Sequence, residues 1–220
     1  VTDVLKNDEI PATKRKNDPV GLKQRIFAAA LAEFAEAGLK GARMENIAEQ
    51  AATTKRMVVY HFKNKESLYL DVLEHVYLHI RAHETGLDLQ ALAPVEAMTR
   101  LVEESFNYHA EHPDFIRVIC MENMMRGQYI RQSPRIKALN QSALTLLEAI
   151  LQRGKQERLF TPDASAADVH RLISSLCFHY VANQYTFNTL FESHEPPEDQ
   201  VIHNRQLAVV ATLRYLALGR

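Results

Sequence analysis

Thr54-Lys55-Arg56 sets a hydroxyl and two cations on consecutive residues just ahead of the apolar anchors Val58 and Phe62. At the first turn of a helix such a trio joins an N-cap oxygen to two side chains that reach phosphates and base edges. The helix dipole favours an anion at the same place. Arg56 also carries the planar fork that bonds guanine O6 and N7 together. Taken alone, Lys55 and Arg56 read as a solvated charge pair, so their meaning depends on the elements that hold them.

Other residues offer weaker chemistry. His75, His79 and His83 recur at i, i+4 and i+8, a spacing that puts imidazoles on one helix face for a transition metal. No cysteine or carboxylate motif accompanies them, and a partly exposed polar stripe is the simpler reading. Phe115 is followed by Cys120, Met121, Met124 and Met125, and Met-rich surfaces adapt to varied ligands, although the same residues serve equally as core. Cys177, Phe178, Tyr180 and Asn183 share a later helix and either line a pocket or pack between helices. The cysteines lack a C-x-x-C spacing and read as core or pocket thiols. A phosphate-cradling glycine loop, a nucleophile elbow and an H-E-x-x-H pair are all missing, and the adjacent Glu103 and Glu104 diverge on a helix. An enzyme is therefore not expected, nor a cofactor.

The elements that must position these residues are helical throughout. With 46% hydrophobic residues, 24% charged residues, 7 Gly and 8 Pro, the composition disfavours a turn-rich β architecture. Ile26, Phe27, Ala30, Leu31, Phe34 and Ala35 make a helical stripe over about 20–37, with Gly38 as a left-handed cap. Two short helices, about 43–51 and 55–61, are separated by about three residues. Asn64 then caps a long helix through Leu68, Leu73, Val76 and Ile80 to near Gly86. Later periodic stretches run over about 95–111, 115–126, 134–158, 165–191 and 201–218. Each break between them carries a proline or glycine, and the count is about nine helices. Residues 1–19, with the basic run Lys14-Arg15-Lys16, show no periodicity and read as a flexible arm.

Charge divides unevenly: residues 1–66 hold 12 Lys/Arg against 9 Asp/Glu, and the remainder holds 14 against 18. The front of the chain is the better polyanion surface. No apolar run approaches the ~18–20 residues of a membrane span. The reading is a cytoplasmic protein with no membrane partner.

Two short helices joined by a tight turn between longer ones make a helix-turn-helix, whose second member enters the major groove. The stretch from Ile47-Ala48-Glu49-Gln50-Ala51 through Tyr60-His61-Phe62-Lys63-Asn64-Lys65-Glu66-Ser67-Leu68 resembles the TetR family of bacterial transcriptional regulators over about residues 22–75. That resemblance implies phosphate contacts from Arg43, Thr54, Tyr60, His61 and Lys65, and base contacts from Lys55, Arg56 and Met57. Five positions depart from the family pattern. Ala52 replaces the usual turn glycine, and Thr53 replaces an apolar residue. Ala42-Arg43 replaces a hydroxyl pair that caps the second helix, and Val59 replaces a frequent tyrosine. The run from His112-Pro113-Asp114-Phe115 to Cys120-Met121-Glu122 is similar to the C-terminal domain of pyrimidine-responsive members, without fixing a ligand.

The expected molecule is an all-α homodimer with a DNA-binding head over 20–66 and an effector-binding and dimerisation domain over 67–220. It represses from a near-palindromic double-stranded DNA operator and is released by a small-molecule effector. The alternative is a larger domain that binds a protein partner instead. Leu172, Ile173, Leu176, Val209, Val210, Leu213 and Leu216 on the last two helices are the expected dimer residues.

Overall fold

Proline sets many of the helix boundaries. In the computed structural model, which describes residues 19–192 and 197–217, five helices open on this residue. They are α1 (Pro19–Gly41), α5 (Pro94–Glu111), α6 (Pro113–Met124), α7 (Pro134–Gln156) and α9 (Pro197–Ala217). Proline fits a first helical position because its missing N–H would be unpaired there anyway. The sequence reading started α5, α6 and α9 one to four residues late, treating these prolines as breaks rather than openings. The others are α2 (Met44–Gln50), α3 (Lys55–Phe62), α4 (Lys65–Gly86) and α8 (Ala166–Leu190), with one 3-10 turn at Ile130–Gln132. The described residues contain no strand. Most of the arm expected over 1–19, including Lys14-Arg15-Lys16, lies outside the described residues.

Side-chain caps fix several N-termini. Asn64 accepts from Ser67 N at 2.7 Å, Ser133 from Ile136 N at 3.1 Å, and Ser165 from Asp168 N at 3.1 Å. Gly38, with φ 66° and ψ 171°, interrupts the regular helix where the sequence placed its end, and a short further turn beyond this kink carries α1 on to Gly41. A side chain at Gly38 would meet Met121 Sδ at 3.4 Å, so the bend also lets α6 approach α1 closely.

Two apolar cores result. One gathers Ile26, Phe34, Ile47, Val58, Phe62 and Leu68 with Ile116 and Ile119 of α6, and so joins α1–α4 to the next part of the chain. The other packs α5, α7, α8 and α9 around Met98, Phe106, Leu151, Val169 and Cys177. The 22 residues of α4, about 33 Å at 1.5 Å per residue, start against α1 and end in the second layer of helices.

Candidate functional site

The N-terminal turn of α3 is held out to solvent by the elements behind it. Thr54 has extended backbone (φ −110°, ψ 151°), and its Oγ1 accepts from Met57 N at 3.3 Å. Val58 and Phe62 bury the opposite face, where the Phe62 ring meets Phe27 of α1 edge-on at 5.2 Å. The bracing helix α2 is fixed by a device the sequence reading missed. In place of the absent hydroxyl cap, the buried carboxylate of Glu33 on α1 accepts from Arg43 N at 2.9 Å and Asn46 Nδ2 at 3.0 Å. A carboxylate at a helix N-terminus also complements the dipole.

The candidate DNA residues fall into two groups. Arg56 is exposed and unpaired among the described residues, Tyr60 is 77% exposed, and Arg43 and Thr54 are exposed at the two helix starts. Lys55 shares that surface but places Nζ 2.7 Å from Glu45 Oε1, and this hydrogen bond holds the Glu45 carboxyl below the usual carboxylate range. The pair is exposed, so salt screens it and a phosphate can compete for the ammonium. Met57 is half-buried, and His61 is half-buried between Tyr60 and Phe62 with Nε2 unbonded. Lys65 points inward: its ammonium bonds Ala42 O at 3.0 Å and Lys40 O at 3.3 Å. It ties the start of α4 to the end of α1, satisfying carbonyls that a helix C-terminus leaves unpaired.

The turn between α2 and α3 explains why glycine is usual at position 52. Thr53 N reaches Ala48 O at 2.9 Å and Ala52 N reaches Glu49 O at 3.0 Å, the two bonds of a Schellman ending whose left-handed residue is Ala52 at φ 51°. A β-carbon there is strained by ~1 kcal/mol. Ala52→Gly is accordingly expected to raise the thermal midpoint by ~2–4 °C in a melt followed by circular dichroism, the shift that a gain of this size gives in a chain of this length. A lowered midpoint would show that the strain has been misassigned.

The larger helical part encloses a cavity of about 200 Å³ between α4, α5, α6, α7 and α8. Tyr77, Ile80, Arg81 and Glu84 enter it from α4, Ser105 and His109 from α5, and His170 and Ser174 from α8. Arg81 Nη1 and Glu84 Oε2 pair at 2.7 Å, with both residues 7% exposed. Burial pushes the Glu84 carboxyl up and the His109 imidazole down to about 4, so His109 is neutral at pH 7. Its Nδ1 lies 2.6 Å from Ser105 O.

Of the nine ligand candidates, only Phe115 and Phe178 line this cavity. Cys177 is buried in the second core, its thiol raised to about 12 by burial, and Met124 is 84% exposed. Met121 packs at the Gly38 bend, while Cys120 and Met125 pack on the first core. Tyr180 and Asn183 line a different groove of about 490 Å³ between α8 and α9, with Phe187, Phe191, His203 and Leu207. Tyr185, Leu190, Ile202 and Val210 are also exposed on these two helices. Of the expected dimer residues, Ile173 and Leu216 are instead buried in the protomer's own core, because the inward stripes of α8 and α9 pack on α5. The three histidines do not gather at one point: the His75 and His79 rings lie 4.2 Å apart, but His75 also stacks on Phe27 at 4.8 Å, and His83 faces Glu104 at 3.4 Å instead. No metal-binding cluster occurs among the described residues, and no helix there is long and apolar enough to cross a membrane.

Comparison with known proteins matches residues 26–72 to the profile of bacterial regulatory proteins of the tetR family, and residues 94–211 to the tetracyclin repressor-like C-terminal domain. The chain belongs to the TetR family. The HTH-type transcriptional repressor NicS of Pseudomonas putida is 32% identical to it, over 76% of this chain and 79% of that protein. The HTH-type transcriptional regulator RutR of Escherichia coli K12 is 28% identical over 64% and 68%. Among solved structures, a tetR-family regulator from Rhodococcus RHA1 superposes with a TM-score of 0.69 at 24% identity, covering 89% of this chain and 96% of that one. The regulator FadR of Bacillus subtilis, solved in complex with stearoyl-CoA, gives 0.66 at 19% identity, covering 90% and 99%. This TetR-family chain is thus a DNA-binding transcriptional regulator with the family's all-helical fold.

Proposed function

We infer that this regulator is a repressor that binds a near-palindromic operator as a homodimer and leaves it when a small molecule fills the cavity between α4 and α8. The observation that carries the reading is the exposed, donor-bearing first turn of α3, free to enter a major groove while α2 and Glu33 brace it. The repressor names of its relatives support the direction of regulation. Division into a head over 20–66 and an effector domain over 67–220 follows the same logic. α4 is the natural lever between them, since Lys65 starts it at α1 and Arg81 and Glu84 end it in the cavity. The cavity also favours a small effector over the protein-partner alternative.

Two heads on one dimer would meet successive major grooves ~34–36 Å apart or close to that spacing. Fluorescence anisotropy on duplex DNA across a salt series tests the reading. Phosphate contacts from both heads require the logarithm of affinity to fall linearly with the logarithm of salt, at about −0.9 per phosphate neutralised. Absence of binding at low salt would contradict it.

A further inference from the structure

Arg81 is the unusual part of the cavity. Its ion pair with Glu84 uses Nη1, while Nε is buried with no hydrogen-bond partner. A guanidinium presents five donors in one plane, and a buried donor left unmade is costly. An acceptor arriving at that edge recovers it, and a carboxylate matches the fork geometry. The second polar feature is His109. A carbonyl can only accept, so its Nδ1 must carry the proton given to Ser105 O, and Nε2 is left as an acceptor on a neutral ring. Most of the remaining wall is apolar or aromatic, with Tyr77, Phe115 and Phe178 among its residues, and Ser105, Asn140, His170 and Ser174 are its other polar members.

Size narrows the occupant further. A dry cavity of ~150 Å³ takes benzene, whereas drug-sized ligands fill ~300–1,000 Å³. At about 200 Å³ the space suits one substituted ring. We propose that the cavity takes a small single-ring aromatic carboxylate, its carboxylate on the guanidinium of Arg81 and its ring against Tyr77, Phe115 and Phe178. This rests on the effector reading above and names the ligand class for the same site.

The charge balance adds a consequence. Arg81 and Glu84 compensate each other, so an incoming anion leaves a net negative charge in a desolvated space. The facing ionisable groups are Tyr77 and Arg81 on α4 and His109 and Tyr108 on α5. His170 faces from α8, and His83 is turned to Glu104; α6 and α7 bring no ionisable side chain to the wall. Glu84, already raised by burial, takes the proton. Binding therefore takes up a proton, and affinity rises as pH falls, by at most about tenfold per pH unit for one proton.

Titration calorimetry with benzoate, its three monohydroxy derivatives and the matching benzamides, on the full chain at about pH 7.5 and about pH 6, tests this. At least one carboxylate is expected to bind ~10-fold or more tightly than its amide, and more tightly at the lower pH. The paired change Arg81→Met with Glu84→Gln, which leaves no lone buried charge, should abolish that preference. If that variant does not fold, the acid–amide comparison on the unaltered chain still decides. Failure of all four carboxylates to bind, amides that bind equally well, or affinity independent of pH would each overturn the proposal. A carboxylate that binds yet leaves DNA affinity unchanged would instead overturn the effector reading and leave the ligand class standing.

Discussion

Leu207→Asp together with Val210→Asp is expected to halve the particle mass and to weaken binding to a two-half-site operator by ~10²–10⁴-fold. Leu207 is 49% exposed and Val210 52% exposed, one turn apart on α9, and Leu207 shares the α8–α9 groove with Phe187. An apolar face of this extent on two adjacent helices marks a protein interface, and a closed dimer buries it against its own copy. A carboxylate there has no partner when buried but is harmless in the separated protomer, so folding should survive while association does not. Without association the second head no longer benefits from the first being bound. Light scattering and operator titration read the two effects separately. An unchanged mass would place the dimer contact elsewhere, and full operator affinity from a single protomer would remove the need for paired heads.

Arg56→Ala has the next largest expected effect. Its guanidinium is exposed on the first turn of α3 with no internal partner to give up. A bidentate contact to one base is worth ~1–3 kcal/mol, so a symmetric operator should lose ~2–6 kcal/mol while random DNA loses only the weaker nonspecific contribution. Competition titrations with both DNAs check this. Equal losses on both would show that Arg56 touches phosphate and not a base. Lys65→Ala is a useful contrast. Its ammonium holds the end of α1, so the loss should appear in thermal stability and in both DNAs alike.

The head was legible in the sequence because its signals are local. Thr54 as a cap, the Val58 and Phe62 anchors, and the short gap before α3 all act within a turn or two of chain. What remained hidden depends on contacts distant in sequence. Glu33 reads as one more surface acid until α1 is seen to deliver it to the start of α2. The polar lining of the cavity stays hidden for a related reason. Charged residues on a helix read as solvated, yet Glu84 continues the stripe of Val76 and Ile80, and His109 that of Val102 and Phe106, both at helical spacing. Of the pocket candidates on α6, Phe115 faces the cavity together with Ile119, while Met121 packs against α1. The dimer residues show the same limit: apolar periodicity marks the inward stripe of α8 and α9, whereas the face left free is read only after α5 is in place.

Selection of bound sequences from a pool of random duplex DNA tests the central claim most directly. The account predicts enrichment of an inverted repeat, with half-sites about one helical turn apart or a modest variation on that spacing, and a guanine at one symmetric position that Arg56→Ala ceases to prefer. A pool that stays unenriched after repeated rounds would contradict it.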